Sequence, residues 1–166
     1  MSTEVASTEF REIPKNSVSV YTHVPNEDTP LIIRDGLLVK RNRRIALYPE
    51  IERIFSEESR HGRARIDRSK CVFAFPDLHY MTHDPLRERI VESWVNPKKV
   101  WVADYDLFTQ AAGNDSYTIE QKRELARMYW ERTMRLSDFL NRGSPQIDIP
   151  EVLIPFNIPP QKIRLI

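Results

Sequence analysis

An α+β domain is what this sequence predicts, and three observations predict it. Two short apolar runs, residues 72–75 and 152–154, have the length and composition of buried strands. The stretch from Thr118 to Asn141 carries apolar residues at helical spacing, with a capping signal in front and Gly143 behind. The whole chain is 166 residues with 40% hydrophobic residues, the size and composition of one domain with a full core.

Taken in order, residues 1–16 are polar and aperiodic and read as a flexible arm ahead of a single domain over 17–166. Val18, Val20 and Tyr21 suggest a strand ending near Val24, where Pro25-Asn26 breaks it. Thr29-Pro30 reads as an N-cap followed by a first-turn proline, and Gly36 as the stop of that short helix. A second helix is expected from Pro49, because Ile51, Ile54 and Phe55 recur at helical spacing, with Gly62 as its end. Residues 70–76 and 99–104 read as strands that are apolar on both faces. Between them Leu86, Ile90, Val91 and Trp94 suggest a short amphipathic helix closed by Asn96-Pro97. The longest helix is expected from Thr118, with Gln121 completing a capping box, to Asn141. Its stripe of Leu125, Met128, Tyr129, Leu136, Phe139 and Leu140 is read as core. Residues 151–156 and 162–166 read as two closing strands joined by the turn Asn157-Ile158-Pro159-Pro160.

Composition excludes several function classes. The formal net charge is +1, so no global field draws the chain to nucleic acid or to an acidic membrane. Cys71 is the single cysteine, no apolar leader opens the sequence, and no run approaches the 18 apolar residues of a membrane span; a cytoplasmic protein with no membrane partner is expected. Four glycines in scattered positions supply neither a phosphate-binding loop nor a dinucleotide fingerprint. Cys71 lies within an apolar run, where thiols are structural rather than nucleophilic. His79 and His83 have the spacing of two ligands on one helical face, but Pro76 and Pro85 leave barely two turns for a helix and the glutamate of the zinc motif is missing. No metal is expected. Over residues 41–68 arginines outnumber acids, and Arg63 and Arg65 are the candidates for a phosphate-binding surface. The plain alternative is solvated charge.

Two end segments carry a resemblance. Tyr21-Thr22-His23-Val24, followed by Leu31-Ile32-Ile33-Arg34-Asp35-Gly36-Leu37-Leu38, resembles the opening of the ADP-ribosyltransferase superfamily, in which an aromatic-and-histidine strand leads into a helix ending in Gly-Leu. Pro150-Glu151-Val152-Leu153-Ile154-Pro155, then Ile158-Pro159-Pro160-Gln161-Lys162-Ile163, resembles that family's closing strand. The resemblance implies a split, strongly bent β-sheet with flanking helices and NAD in the cleft, as the substrate whose nicotinamide–ribose bond is broken. It places Glu151 in the catalytic position, stabilising the positive charge that develops on the ribose. His23 and Tyr21 would lie at the cofactor site, with His23 holding the adenosine-side ribose. Tyr80 would stack on nicotinamide, and Arg63 and Arg65 would serve phosphates. The implied biology is a bacterial toxin, effector or modifying enzyme acting on a nucleic-acid or protein acceptor, with an antidote or inhibitor protein as a further partner. RNA 2′-phosphotransfer, which shares the fold, and a noncatalytic nucleic-acid or protein-binding module on the basic surface stand as alternatives. Glu151→Gln, which removes charge and keeps shape, is expected to leave folding nearly unchanged while lowering turnover by orders of magnitude. If Glu151 has no catalytic task, the plain expectation is a solvent-facing strand residue.

Overall fold

β-Branched and aromatic residues alternate through β1 (Val18–Pro25), and a proline ends it as expected. The computed structural model describes residues 13–41, 46–82 and 84–166, so most of the N-terminal arm lies outside the described residues. Helix α1 (Thr29–Asp35) follows after a 3-10 turn over Asn26–Asp28. Asp28, not Thr29, occupies the N-cap position, and Thr29-Pro30 forms the first turn. Helix α2 (Pro49–Glu58) starts at its proline and turns its apolar face, Ile51, Ile54 and Phe55, into the core.

Residues 86–95 depart from expectation. They form not a helix but strand β3 (Glu88–Val95), the centre of a three-stranded antiparallel sheet ordered β1-β3-β7, with β7 at Ile163–Leu165. The spacing of Ile90, Val91 and Trp94 fits a helical face, but Val91 through Val95 are buried without interruption. A strand paired on both edges and covered on both faces satisfies that pattern, whereas a two-turn amphipathic helix does not.

The second sheet is antiparallel in the order β2-β6-β4-β5, formed by Val72–Ala74, Pro150–Ile154, Trp101–Asp104 and Met134–Arg135. Strand alternation gives its two faces different cores. Val72, Val102, Val152 and Ile154 pack with Val20 and Val91 of the first sheet. Phe73, Ala103 and Leu153 pack instead with α2, α3 (Tyr105–Gly113) and α4 (Ile119–Arg132). Helix α3 had no counterpart in the sequence reading; its signal is Asp104, whose carboxylate accepts the Asp106 N–H.

The predicted helix over 118–141 is interrupted. Its start is as expected, with the Thr118–Gln121 capping box formed. At Thr133 the chain leaves the helix, because β5 pairs with β4 and Leu136 N–H reaches the Val100 carbonyl at 3.1 Å. Helix α5 (Leu136–Arg142) then resumes and ends at Gly143, φ 66°. Cross-strand pairing there replaces hydrogen bonds that continued helix would have made, so propensity does not decide.

The protein is therefore a single α+β domain with two antiparallel sheets and, among the described residues, five α-helices. Among the described residues, no helix is long and apolar enough to cross a membrane. The two sheets approach through one isolated bridge, Tyr21 with Phe75, whose two hydrogen bonds measure 2.9 and 2.7 Å.

Candidate functional site

Beyond that bridge the sheets separate and a cavity of about 910 Å³ opens between β1, α1 and the segment around residues 72–82. Its shape begins with Gly36. The residue sits at φ 82°, and a Cβ there would lie 2.0 Å from the Ile158 carbonyl oxygen, so only glycine lets the end of α1 meet the C-terminal segment. Leu37 then exchanges two 2.9 Å backbone hydrogen bonds with Ile158. The turn that follows carries Lys40 and Arg41 to the cavity. Arg41 is committed to Asp35 at 2.9 Å, while no ion pair is formed by Lys40 among the described residues. The Gly-Leu motif thus closes one end of the site and delivers its cations.

On the opposite side Thr22 and His23 of β1 line the cavity, and Thr22 Oγ1 donates to the Phe73 carbonyl at 2.9 Å. Tyr80 lines it from the turn Leu78–Tyr80, its ring 3.9 Å from that of His79. Phe75 and Tyr105 complete an aromatic wall, ring centroids 6.3 Å apart. Sequence reasoning missed Glu88, which also lines the cavity and reaches within 3.8 Å of His23 Nδ1. The misread helix over 86–95 hid it, since a strand register is what sets Glu88 beside His23.

Glu151 stands elsewhere. It is fully buried, not solvent-facing, and it is not among the residues lining the cavity. Lying on the strand face shared with Ala103 and Leu153, its Oε1 receives Arg68 Nη1 at 2.6 Å. Arg68 also bonds Glu52, at 2.8 and 3.2 Å, and donates to the Tyr129 hydroxyl at 2.6 Å. The guanidinium is sandwiched between Phe73 and Phe108, 4.4 and 4.2 Å from the ring centroids. Burial opposes its charge, but Tyr129, Glu151 and Glu52 together hold its pKa well above the ordinary value. Arg68 therefore belongs to the core and not to the basic surface the sequence suggested. Phe73 is shared: it lines the cavity and lies against Arg68, so one aromatic ring separates the ion pair from the cleft.

The remaining candidates divide. His23 and Tyr80 come together. Tyr21 marks the bridge between the sheets without lining the cavity, and Arg63 and Arg65 are exposed on the loop after α2, away from the lining. Arg43 and Arg44 of the basic run, and His83 of the histidine pair, lie outside the described residues. His79 pairs with Asp77 at 2.9 Å. Cys71 is buried, and burial, only partly countered by Arg68, pushes its thiol up to about 12, as an inert structural cysteine requires. No protein-family model, curated protein or solved structure matches the chain.

Proposed function

We propose that the chain binds NAD in this cleft and transfers its ADP-ribose to a macromolecular or small acceptor, or to water. One observation carries the reading: His23 and Tyr80, both assigned to NAD by the resemblance, line a single cavity with cations and aromatic rings. About 910 Å³ is within the range that holds a cofactor-sized ligand. Lys40 suits a diphosphate, and Tyr80, Phe75 and Tyr105 offer faces to nicotinamide or adenine. In the reaction the bond between nicotinamide and ribose breaks and its electron pair leaves with nicotinamide. A lone pair of the acceptor forms the new bond to the ribose, and the acceptor's proton is released. Glu151 opposes the positive charge that develops on the sugar, which requires Phe73 to move aside, because the ion pair of that carboxylate sits behind its ring.

A noncatalytic nucleotide-binding module is the second reading, and the burial of Glu151 against Arg68 favours it. For the RNA 2′-phosphotransfer alternative, Arg68 is a core residue whereas Arg63 and Arg65 remain exposed. Calorimetry with NAD, run beside an assay of nicotinamide release, separates the two leading readings. The enzyme reading expects binding that weakens about tenfold in Lys40→Ala, and release that vanishes in Glu151→Gln while binding persists. Binding without release, with every acceptor tested, establishes the module; no binding by wild type ends both.

A further inference from the structure

We propose that Glu88 is the specificity residue of the cleft: it reads the hydroxyls of the ribose beside His23 and rejects a dinucleotide that carries a phosphate there. The inference rests on the NAD reading above.

Register supplies the first step. In the β1–β3 ladder His23 faces Ile90 and Pro25 faces Glu88, which makes His23 and Glu88 diagonal neighbours on one sheet face. Their side chains meet at 3.8 Å, and both line the cavity. Glu88 keeps 39% of its side chain exposed, so it remains open to a ligand.

Chemistry supplies the second. A carboxylate only accepts hydrogen bonds, and the vicinal diol of a ribose offers two O–H donors to it. A phosphate ester on the same sugar has no such donor at that position and adds negative charge a few ångströms away. Acidic residues select the free 2′-hydroxyl of NAD in this way, where arginines accommodate the 2′-phosphate of NADP. The other charged groups of the cleft do not reverse the choice. Asp28 lines it with a second carboxylate, and Arg41 is already paired with Asp35, leaving Lys40 on the loop after α1.

The test is calorimetric titration of wild type, Glu88→Gln and Glu88→Asp with NAD and with NADP. Wild type is expected to bind NAD on the order of 10- to 100-fold more tightly than NADP. Glu88→Gln should bring the two affinities to within about threefold, and Glu88→Asp should restore the preference. Equal affinities in wild type, a preference unchanged in Glu88→Gln, or equal loss of both ligands in that variant would overturn the assignment of Glu88 while leaving NAD binding intact. Failure of wild type to bind either dinucleotide would instead remove the NAD reading, and this inference with it.

Discussion

Arg68 meets Glu151 at 2.6 Å and Glu52 at 2.8 Å with all three side chains out of solvent, so removing Arg68 strands two buried carboxylates, whereas removing Glu151 leaves the Arg68–Glu52 pair and costs a buried hydrogen bond and its packing. Glu151→Ala, which deletes that hydrogen bond and leaves a cavity, is expected to destabilise the fold by about 2–4 kcal/mol, read as a lowered urea midpoint at unchanged slope. In Glu151→Gln the amide oxygen still accepts from Arg68, and the expected loss is about 1–3 kcal/mol. The burial of Glu151 thus gives a larger expected effect than the sequence-based expectation that folding stays nearly unchanged. An unchanged midpoint in Glu151→Ala would mean that Arg68 finds full compensation in Glu52 and Tyr129. Any loss of turnover in these variants must therefore be normalised to the folded fraction.

Helix α3 and its cap show what titration does at the scale of an element. Asp104 is buried at the end of β4, and one of its oxygens accepts the N–H groups of Asp106 at 3.2 Å and Ile149 at 3.1 Å. It thereby ties α3 to the loop before β6, and Tyr105 and Ile149 of the cleft wall ride on that tie. Burial raises its pKa above 3.8 despite the backbone donors from Ile149 and Asp106. The native state then binds more protons than the unfolded chain between 3.8 and the raised value, so stability falls as pH rises through that window, and the deficit is fully present at neutral pH. Asp104→Asn, which keeps an acceptor and sheds the charge, is expected to raise the melting temperature at pH 7. The gain should shrink as pH falls through that window and vanish below 3.8; a gain independent of pH would reject this account. The opposite sign holds at Glu58, where burial raises the pKa but Arg127 and Arg123 of α4 more than offset it, stabilising the contact with α2 above the ordinary carboxylate range. Elements were legible in the sequence wherever local chemistry decides them: the proline starts of α1 and α2, the Thr118 cap, the glycine stops. They were not legible where pairing partners distant in sequence decide. Nothing local to 86–95 announces that β1 and β7 will flank it, and nothing local to Thr133–Arg135 announces β4. The site followed the same division. His23, Gly36 and Leu37, which line the cavity, lie in two short contiguous motifs, Glu88 was lost with its strand, and the burial of Glu151 away from the cavity lining was not legible because it depends on Arg68 and Glu52 arriving from elsewhere.

Across the whole molecule, a ligand in the cleft bridges α1, β1 and the segment before β3, and so binds the folded chain alone. NAD at 100 times its dissociation constant is expected to add about 2.7 kcal/mol of stability, seen as a melting temperature that climbs with NAD concentration; a melting curve indifferent to NAD argues against occupancy of the cleft. The Tyr21–Phe75 bridge gives that cleft its width. Among the described residues, backbone pairing between β1 and the segment of β2 is confined to this one step, after which the Thr22 hydroxyl donates to the Phe73 carbonyl. Strands joined along their length stand about 4.8 Å apart and leave no room between them. The cavity is thus the open end of an interrupted zipper, and the bridge is its slider. Each additional rung formed toward His23 would draw the two strands to pairing distance there and leave less room at the mouth.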